Sequence, residues 1–231
     1  MRICIIGPSH LAALREAEKE GLVDTSPHDI TYFGHYTRIF STLSLNGTRL
    51  RMLAARPLAD DLKVEADIAD YDGLFLCAVI KDASWILKRA RLELADLGSF
   101  SRRLAARQLR NAIRASENFD VIAGIRAAFD GPILISTAPL RARPDVSEPV
   151  GREFDLFNAA AGEALAELGF TFVPQPSETV SAALATRREY SVGSIKLRGH
   201  EQHRQEDVSH MNSAYGALIY RAALDRLGAQ A

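Results

Sequence analysis

The sequence predicts an α/β fold, in which a mostly parallel sheet is covered by helices on both faces. Short apolar runs typical of buried strands alternate with stretches of helical periodicity, and glycine or proline turns separate many of them. The 231 residues suffice for one domain with a sizeable core. Because the chain has no internal repeat and no linker-like stretch, we predict a single domain over residues 1–231.

The strongest strand prediction covers Asp72–Ile80, where eight largely apolar residues lie between Tyr71-Asp72 and Lys81-Asp82. Residues Ser41–Leu53 are expected to form a hairpin, because Asn46-Gly47 is a typical two-residue turn. Four further strands are predicted: Arg2–Ile6, Asp29–Phe33, Ile133–Ser136 and Thr171–Val173.

Helical periodicity predicts five helices between and after these strands. They are His10–Glu20, Ser101–Ala115, Phe119–Phe129, Gly151–Leu168 and Asn212–Leu227. Residues 175–206 are polar and irregular, which is typical of a lid or binding segment. Ligands of parallel α/β sheets bind at the carboxyl ends of strands. The residues that follow strand ends, and are therefore expected along one edge, are Ser9, Gly34, Lys81-Asp82 and Pro139.

Composition narrows the class of protein. The chain carries 28 Lys and Arg against 29 Asp and Glu, so its charge gives no sign of a nucleic-acid partner. Cys4 and Cys77 both lie in apolar runs, which favours buried, reduced thiols over a disulfide. With no signal-peptide pattern and no apolar stretch of membrane-spanning length, we predict a cytoplasmic protein without a membrane partner.

Ser9 lies in Gly7-Pro8-Ser9-His10, between the first predicted strand and the first predicted helix. A serine hydroxyl there can serve as a nucleophile, since the amides of the first helical turn are free to bind an oxyanion. Serine is also a preferred helix N-cap, and position alone favours that structural role.

A second segment, Asp207-Val208-Ser209-His210, supplies a base and its orienting partner before the last predicted helix. A serine nucleophile needs an adjacent base, and the base needs such a partner. Asp207 and His210 are three positions apart, so one turn can bring the carboxylate to the ring. The structural alternative is that Asp207 begins a turn and His210 caps the helix.

These two blocks, Ile-Gly-Pro-Ser-His and Asp-Val-Ser-His, resemble the first and last blocks of the SGNH (GDSL-like) hydrolases. The resemblance implies a flavodoxin-like, three-layer α/β/α fold. It also implies that Ser9 is the nucleophile, His210 the general base and Asp207 the partner of that histidine. The oxyanion hole would use the amides of Ser9 and Gly34, with Gly47 as the alternative glycine. The family's Gly-x-Asn-Asp block is absent, because the corresponding stretch reads Cys77-Ala78-Val79-Ile80-Lys81-Asp82.

Other residue clusters allow different interpretations. His200 and His203, with Asp207 and His210, could form a metal site if the segment were helical, although the spacing fits known zinc sites loosely. His10 and Trp85 are candidate substrate-binding residues, since both are predicted at the active edge; a helix start and a core tryptophan are their structural alternatives. Arginines at helical spacing could bind an anionic group or form a solvated face, namely Arg103, Arg107, Arg110 and Arg114. Arg141 and Arg143, after the strand end at Pro139, could add anion contacts or be ordinary surface arginines.

The sequence therefore predicts a serine-dependent hydrolase or acyltransferase for an ester or thioester, with acylated carbohydrate among its candidate substrates. This chemistry requires no metal and no other cofactor. The partner is expected to be a small-molecule or glycan ester, and the sequence does not specify an oligomeric state. A non-catalytic glycan- or anion-binding protein on the same fold is the alternative, which the absent Gly-x-Asn-Asp block favours.

Overall fold

A six-stranded sheet with only parallel pairings forms the centre of the computed structural model, which describes residues 1–53, 56–93, 95–143, 152–181, 183–199 and 201–229. Its strands are β1 (Arg2–Gly7), β2 (Asp29–Gly34), β5 (Leu62–Lys63), β7 (Gly73–Ile80), β8 (Ile133–Thr137) and β10 (Thr171–Phe172). They lie in the order β10-β8-β7-β1-β2-β5 across the sheet.

Helices cover both faces of this sheet, and the two sides of β1 show how. Cys4 and Ile6 belong to one apolar core, whereas Ile3 and Ile5 belong to the other, because successive side chains of a strand point to opposite faces. The predicted three-layer α/β/α architecture is therefore confirmed. The helices are α1 (Leu11–Lys19), α2 (Thr37–Phe40), α3 (Ala83–Ala90), α4 (Arg102–Arg114), α5 (Phe119–Ala128), α6 (Arg152–Ala166) and α7 (Ser213–Gly228).

Helices α1 and α7 pack on the same face of the sheet and contribute Leu11, Leu14 and Tyr220 to one core. The other core receives side chains from α3, α4, α5 and α6. Cys4 and Cys77 are free, buried thiols in different cores, as the sequence predicted for reduced cysteines. Among the described residues, no helix combines the length and the apolar character needed to cross a bilayer.

Two small sheets flank the central one. The predicted hairpin is present as β3 (Leu43–Asn46) and β4 (Arg49–Met52), and β6 (Glu65–Asp67) pairs with β4. Gly47 occupies the left-handed turn position with φ 61°, a conformation that glycine adopts without steric cost. The second small sheet contains β9 (Ala142–Arg143), β11 (Val180–Ser181) and β12 (Ala185–Arg187).

Two predictions need correction. The segment 175–206 is not irregular throughout, because β11 and β12 pair antiparallel within it and β12 continues onto β9. Helix α3 was not predicted at all, although the Asp82 side chain caps it by accepting a hydrogen bond from the Trp85 amide at 3.0 Å. These elements are two to eight residues long, so their periodicity is too short to stand out from sequence alone.

Strand β7 carries extra residues near its carboxyl end. Leu76 pairs with Ile135 and Ile80 pairs with Thr137, so four steps along β7 face two steps along β8. Ala78, within this bulge, has φ 55°, a left-handed conformation that costs energy for a residue with a Cβ atom. Its amide donates to the Ser136 hydroxyl at 2.9 Å, which holds the bulge in place.

The close contact between α1 and α7 yields a prediction on stability. A Cβ atom added at Gly216 would lie 2.0 Å from the Ala13 carbonyl oxygen, so Gly216→Ala forces the two helix backbones apart. We expect the free energy of unfolding to fall by about 1–3 kcal/mol. Chemical denaturation measures this difference.

Gly162→Ala is the matched control, because Gly162 lies within α6 and a Cβ atom there meets nothing within 4 Å. This control is expected to raise stability by up to about 1 kcal/mol, since alanine is the better helix former. Equal effects of the two variants would contradict the packing argument.

Candidate active site

Ser9 lies in the turn between β1 and α1, and its side chain does not cap the helix. The N-cap position of α1 is His10, without a side-chain capping bond. The Ser9 hydroxyl instead lies 3.0 Å from Nε2 of His210, and Ser9 is buried, with 7% of its surface exposed. The structural alternative of an N-cap serine is therefore wrong, and the hydroxyl is available for chemistry.

Asp207 holds the other side of the His210 ring. Its Oδ2 atom lies 3.0 Å from His210 Nδ1, whereas its Oδ1 atom accepts the amides of Ser209 and His210 at 2.8 and 2.9 Å. The spacing of three residues in the sequence thus closes one turn, as predicted. His210 does not cap α7, because Asn212 does so by accepting the Tyr215 amide at 3.2 Å.

Electrostatics keep Asp207 ionised. Burial opposes ionisation, but hydrogen bonds from the amide and ring of His210 and from the Ser209 amide outweigh it and lower the pKa of Asp207 to about 2. An ionised carboxylate accepts only, so His210 carries its proton on Nδ1 and turns the Nε2 lone pair toward the Ser9 hydroxyl. This arrangement, the Ser9–His210–Asp207 array, can accept a proton from the serine.

A second imidazole contacts the same carboxylate. His203 places Nδ1 3.3 Å from Asp207 Oδ2, and its ring stacks on the His210 ring with a centroid distance of 3.9 Å and an interplanar angle of 8°. One potential ligand atom from each of these three residues lies within 4.8 Å of the others. Because the two rings are nearly parallel, their in-plane lone pairs run side by side and do not converge as a tetrahedral metal requires. His200 lies outside the described residues.

His10, a predicted substrate-binding residue, lies beside the array. Its ring centroid is 5.6 Å from that of His210, and the ring lines a small cavity. Burial, with a smaller contribution from His210, lowers the pKa of His10 to about 3, so this ring is neutral near pH 7. Its Nδ1 atom is buried and has no hydrogen-bond partner among the described residues.

The cavity has a volume of about 130 Å³ and lies at the carboxyl edge of the sheet. The turn around Ser9 and the start of α2 form one side, and the end of β7 with the loop before α5 forms the other. Residues that line it include Pro8, His10, Thr37, Ile80, Lys81 and Glu117. Of the residues predicted at this edge, Lys81 lines the cavity, whereas Ser9, Gly34, Asp82 and Pro139 are not among its described lining residues.

Gly34, the predicted oxyanion-hole residue, ends β2 directly opposite Gly7. A Cβ atom at Gly34 would lie 2.2 Å from the Gly7 carbonyl oxygen and 2.4 Å from a methyl group of Leu11. Only glycine fits this close approach of β2 to the turn that carries Ser9. The role of its amide in binding an oxyanion stays a prediction.

Trp85 and the arginines of α4 contact other parts of the protein. Trp85 lies in the first turn of α3 and packs, partly buried, against the hydrophobic core; the described lining of the cavity beside Ser9 does not include it. Arg110, one of the arginines at helical spacing on α4, forms an ion pair with Glu167. Arg141 directly precedes β9 and Arg143 is its last residue, and both are exposed.

Sequence reasoning missed two contacts of the array. Thr37 places its hydroxyl oxygen 3.4 Å from that of Ser9, and His203 entered only as a candidate metal ligand. Thr37 lies three residues after Gly34, so the rule that strand ends meet at one edge could have found it. His203 had no comparable signal, because its position depends on how the segment before Asp207 folds.

Comparisons with known proteins do not identify the function of this chain. No family model matches the chain, and no curated protein matches it significantly. Among solved structures, it is similar to a carbohydrate acetylesterase family member from Sinorhizobium meliloti, with 12% sequence identity and a TM-score of 0.37. That match covers 99% of this chain and 100% of the other. The arrangement of side chains therefore has to carry the functional argument.

Proposed function

We propose that this protein is a serine-dependent hydrolase or acyltransferase that acts on an ester or thioester. The observation that carries the proposal is the unbroken series of contacts from the Ser9 hydroxyl through His210 to Asp207, each 3.0 Å long. A nucleophile, a base and an orienting carboxylate in this order are what acyl transfer requires.

In the proposed reaction, the Ser9 hydroxyl loses its proton to His210 Nε2 while its oxygen attacks the carbonyl carbon of the substrate. Asp207 stabilises the imidazolium that forms. The amides of Ser9 and Gly34 are proposed to bind the oxyanion, and His210 then returns the proton to the leaving alcohol or thiol. Water, or an acceptor hydroxyl, releases the acyl group from Ser9 in the reverse sequence of proton transfers.

The cavity beside Ser9 supports a small substrate group at the reacting carbon. Its volume of about 130 Å³ is well below the roughly 300 Å³ or more of clefts that enclose drug-sized ligands, which favours a short acyl chain. His10 can accept a hydrogen bond from a substrate hydroxyl through its unpaired Nδ1 atom. Both features agree with an acylated, hydroxyl-rich substrate such as a glycan ester.

A fluorophosphonate probe tests the proposal, because it reacts with an activated serine and stays bound. We expect labelling of the parent protein and loss of labelling in Ser9→Ala. Mass spectrometry of the labelled peptide should place the adduct on Ser9. Ser84→Ala is the matched control: Ser84 is exposed on α3, and its loss should leave labelling unchanged.

An unlabelled parent protein that also fails to turn over short-chain esters would contradict the proposal. The alternative, a binding protein for glycans or anions, would then gain support from the absent Gly-x-Asn-Asp block. Labelling that persists in Ser9→Ala would equally remove Ser9 from the role of nucleophile.

A further inference from the structure

His203 and His210 share one oxygen of the Asp207 carboxylate. Oδ2 lies 3.0 Å from Nδ1 of His210 and 3.3 Å from Nδ1 of His203. The other oxygen, Oδ1, already accepts two backbone amides. The contact of His203 with Oδ2 is longer than the hydrogen bond of His210 and is electrostatic, so it weakens the bond that orients His210 without replacing it.

The position of His203 is well fixed. Its amide donates to the Ser194 carbonyl oxygen at 2.8 Å, and its side chain is 16% exposed. Arg188 holds the following segment by donating to the carbonyl oxygens of Asp207 and Gln205. The ring of His203 consequently covers one face of His210, at a centroid distance of 3.9 Å.

We propose that His203 is a positioning residue for the proposed acyl-transfer reaction: it fixes the plane of the His210 ring and draws on the Asp207 carboxylate, so that His210 stays a neutral base at lower pH. This inference rests on the proposed function. A carboxylate that serves two imidazoles stabilises the charged form of either one less than a carboxylate that serves one. Two stacked rings also oppose a second positive charge.

The surrounding charges support this division of roles. Burial, followed by the effect of His210, lowers the pKa of His203 and so favours its neutral form. His10, at the start of α1, has a pKa of about 3 and is also neutral. Lys196 faces His203 but pairs with Glu201 at 2.7 Å, and Arg188 bonds to backbone oxygens.

Two substitutions separate the polar contact from the ring stack. His203→Phe keeps an aromatic ring over His210 and removes the nitrogen atoms, so Asp207 serves His210 alone. His203→Asn removes the ring, and its side-chain amide can replace Nδ1 as the donor to Oδ2. Circular dichroism and thermal unfolding of both variants establish that each is folded before the comparison is made.

The measurements are the pH profile of kcat/KM on a short-chain ester and the NMR titration of the His210 ring, assigned by its loss in His210→Gln. We expect His203→Phe to move the acid limb and the NMR midpoint upward by about 0.5–1 pH unit, which is less than a full hydrogen bond to a charged group would produce. His203→Asn is expected to leave both in place.

An NMR midpoint that shifts in neither folded variant, or equally in both, overturns the inference. Because the NMR titration does not need turnover, it gives an answer even where the parent protein proves inactive. A parent that is inactive and unlabelled by the fluorophosphonate probe removes the proposed reaction. If the parent protein is active and His203→Phe shifts neither the acid limb nor the NMR midpoint, only the proposed role of His203 is wrong.

Discussion

Replacing His210 with glutamine is expected to lower kcat on a short-chain ester by about 10⁴- to 10⁶-fold, with the fold intact. Glutamine can still hydrogen-bond to Ser9, but it cannot accept the hydroxyl proton. The Ser9 oxygen, 3.0 Å from Nε2 in the parent protein, then attacks as a neutral hydroxyl. Because the His210 side chain is 23% exposed, we expect little loss of thermal stability. Steady-state kinetics and circular dichroism measure the two quantities.

His28→Gln is the control for this experiment. His28 lies in the turn before β2, where its amide donates to the Thr25 carbonyl oxygen, away from the array. Its replacement should leave kcat within a factor of about two. Equal losses in the two variants would assign the effect to folding, and an active His210→Gln variant would contradict the proposed base.

Asp207→Asn is expected to lower kcat by about 10⁴-fold. The amide keeps the shape of the carboxyl group but can donate to His210 Nδ1, which favours the tautomer that carries its proton on Nε2. That tautomer points an N–H group at Ser9 and cannot accept the hydroxyl proton. The loss of the negative charge also removes the stabilisation of the imidazolium. Steady-state kinetics at pH 7 to 9 measure the effect.

Asp225→Asn, on the exposed side of α7, is the matched control for the loss of one negative charge. It should leave kcat unchanged. If Asp207→Asn changed only KM and left kcat as in the parent protein, Asp207 would have no role in the chemical step, because a wrong tautomer affects the transition state more than the bound substrate.

The sequence predicts the central layers because their signals are local. Strand β7 is a long apolar run, the β3–β4 hairpin follows from Asn46-Gly47, and α7 has sixteen residues of helical pattern. Strand β5 has two residues and forms only because β2 offers an edge. Its formation depends on tertiary structure, which periodicity does not encode.

In the candidate site, too, local motifs could be predicted and tertiary contacts could not. Ser9, Asp207 and His210 could be selected because each lies in a short motif at a predicted junction between elements. Their mutual distances, and the contacts of Thr37 and His203, arise from segments that are far apart in the chain. The left-handed Ala78 had no signal, since alanine is common in strands and helices alike and rarely adopts that conformation.

The number of residues in the β7 bulge determines which side chains line the cavity. Because the two additional residues lie between Leu76 and Ile80, they decide which side chains after the bulge reach the rim, among them Lys81. A related chain with one residue fewer in this segment would turn its next side chain to the opposite face of the sheet. An insertion or deletion there would therefore exchange several of the side chains that line the cavity, whereas a substitution changes one.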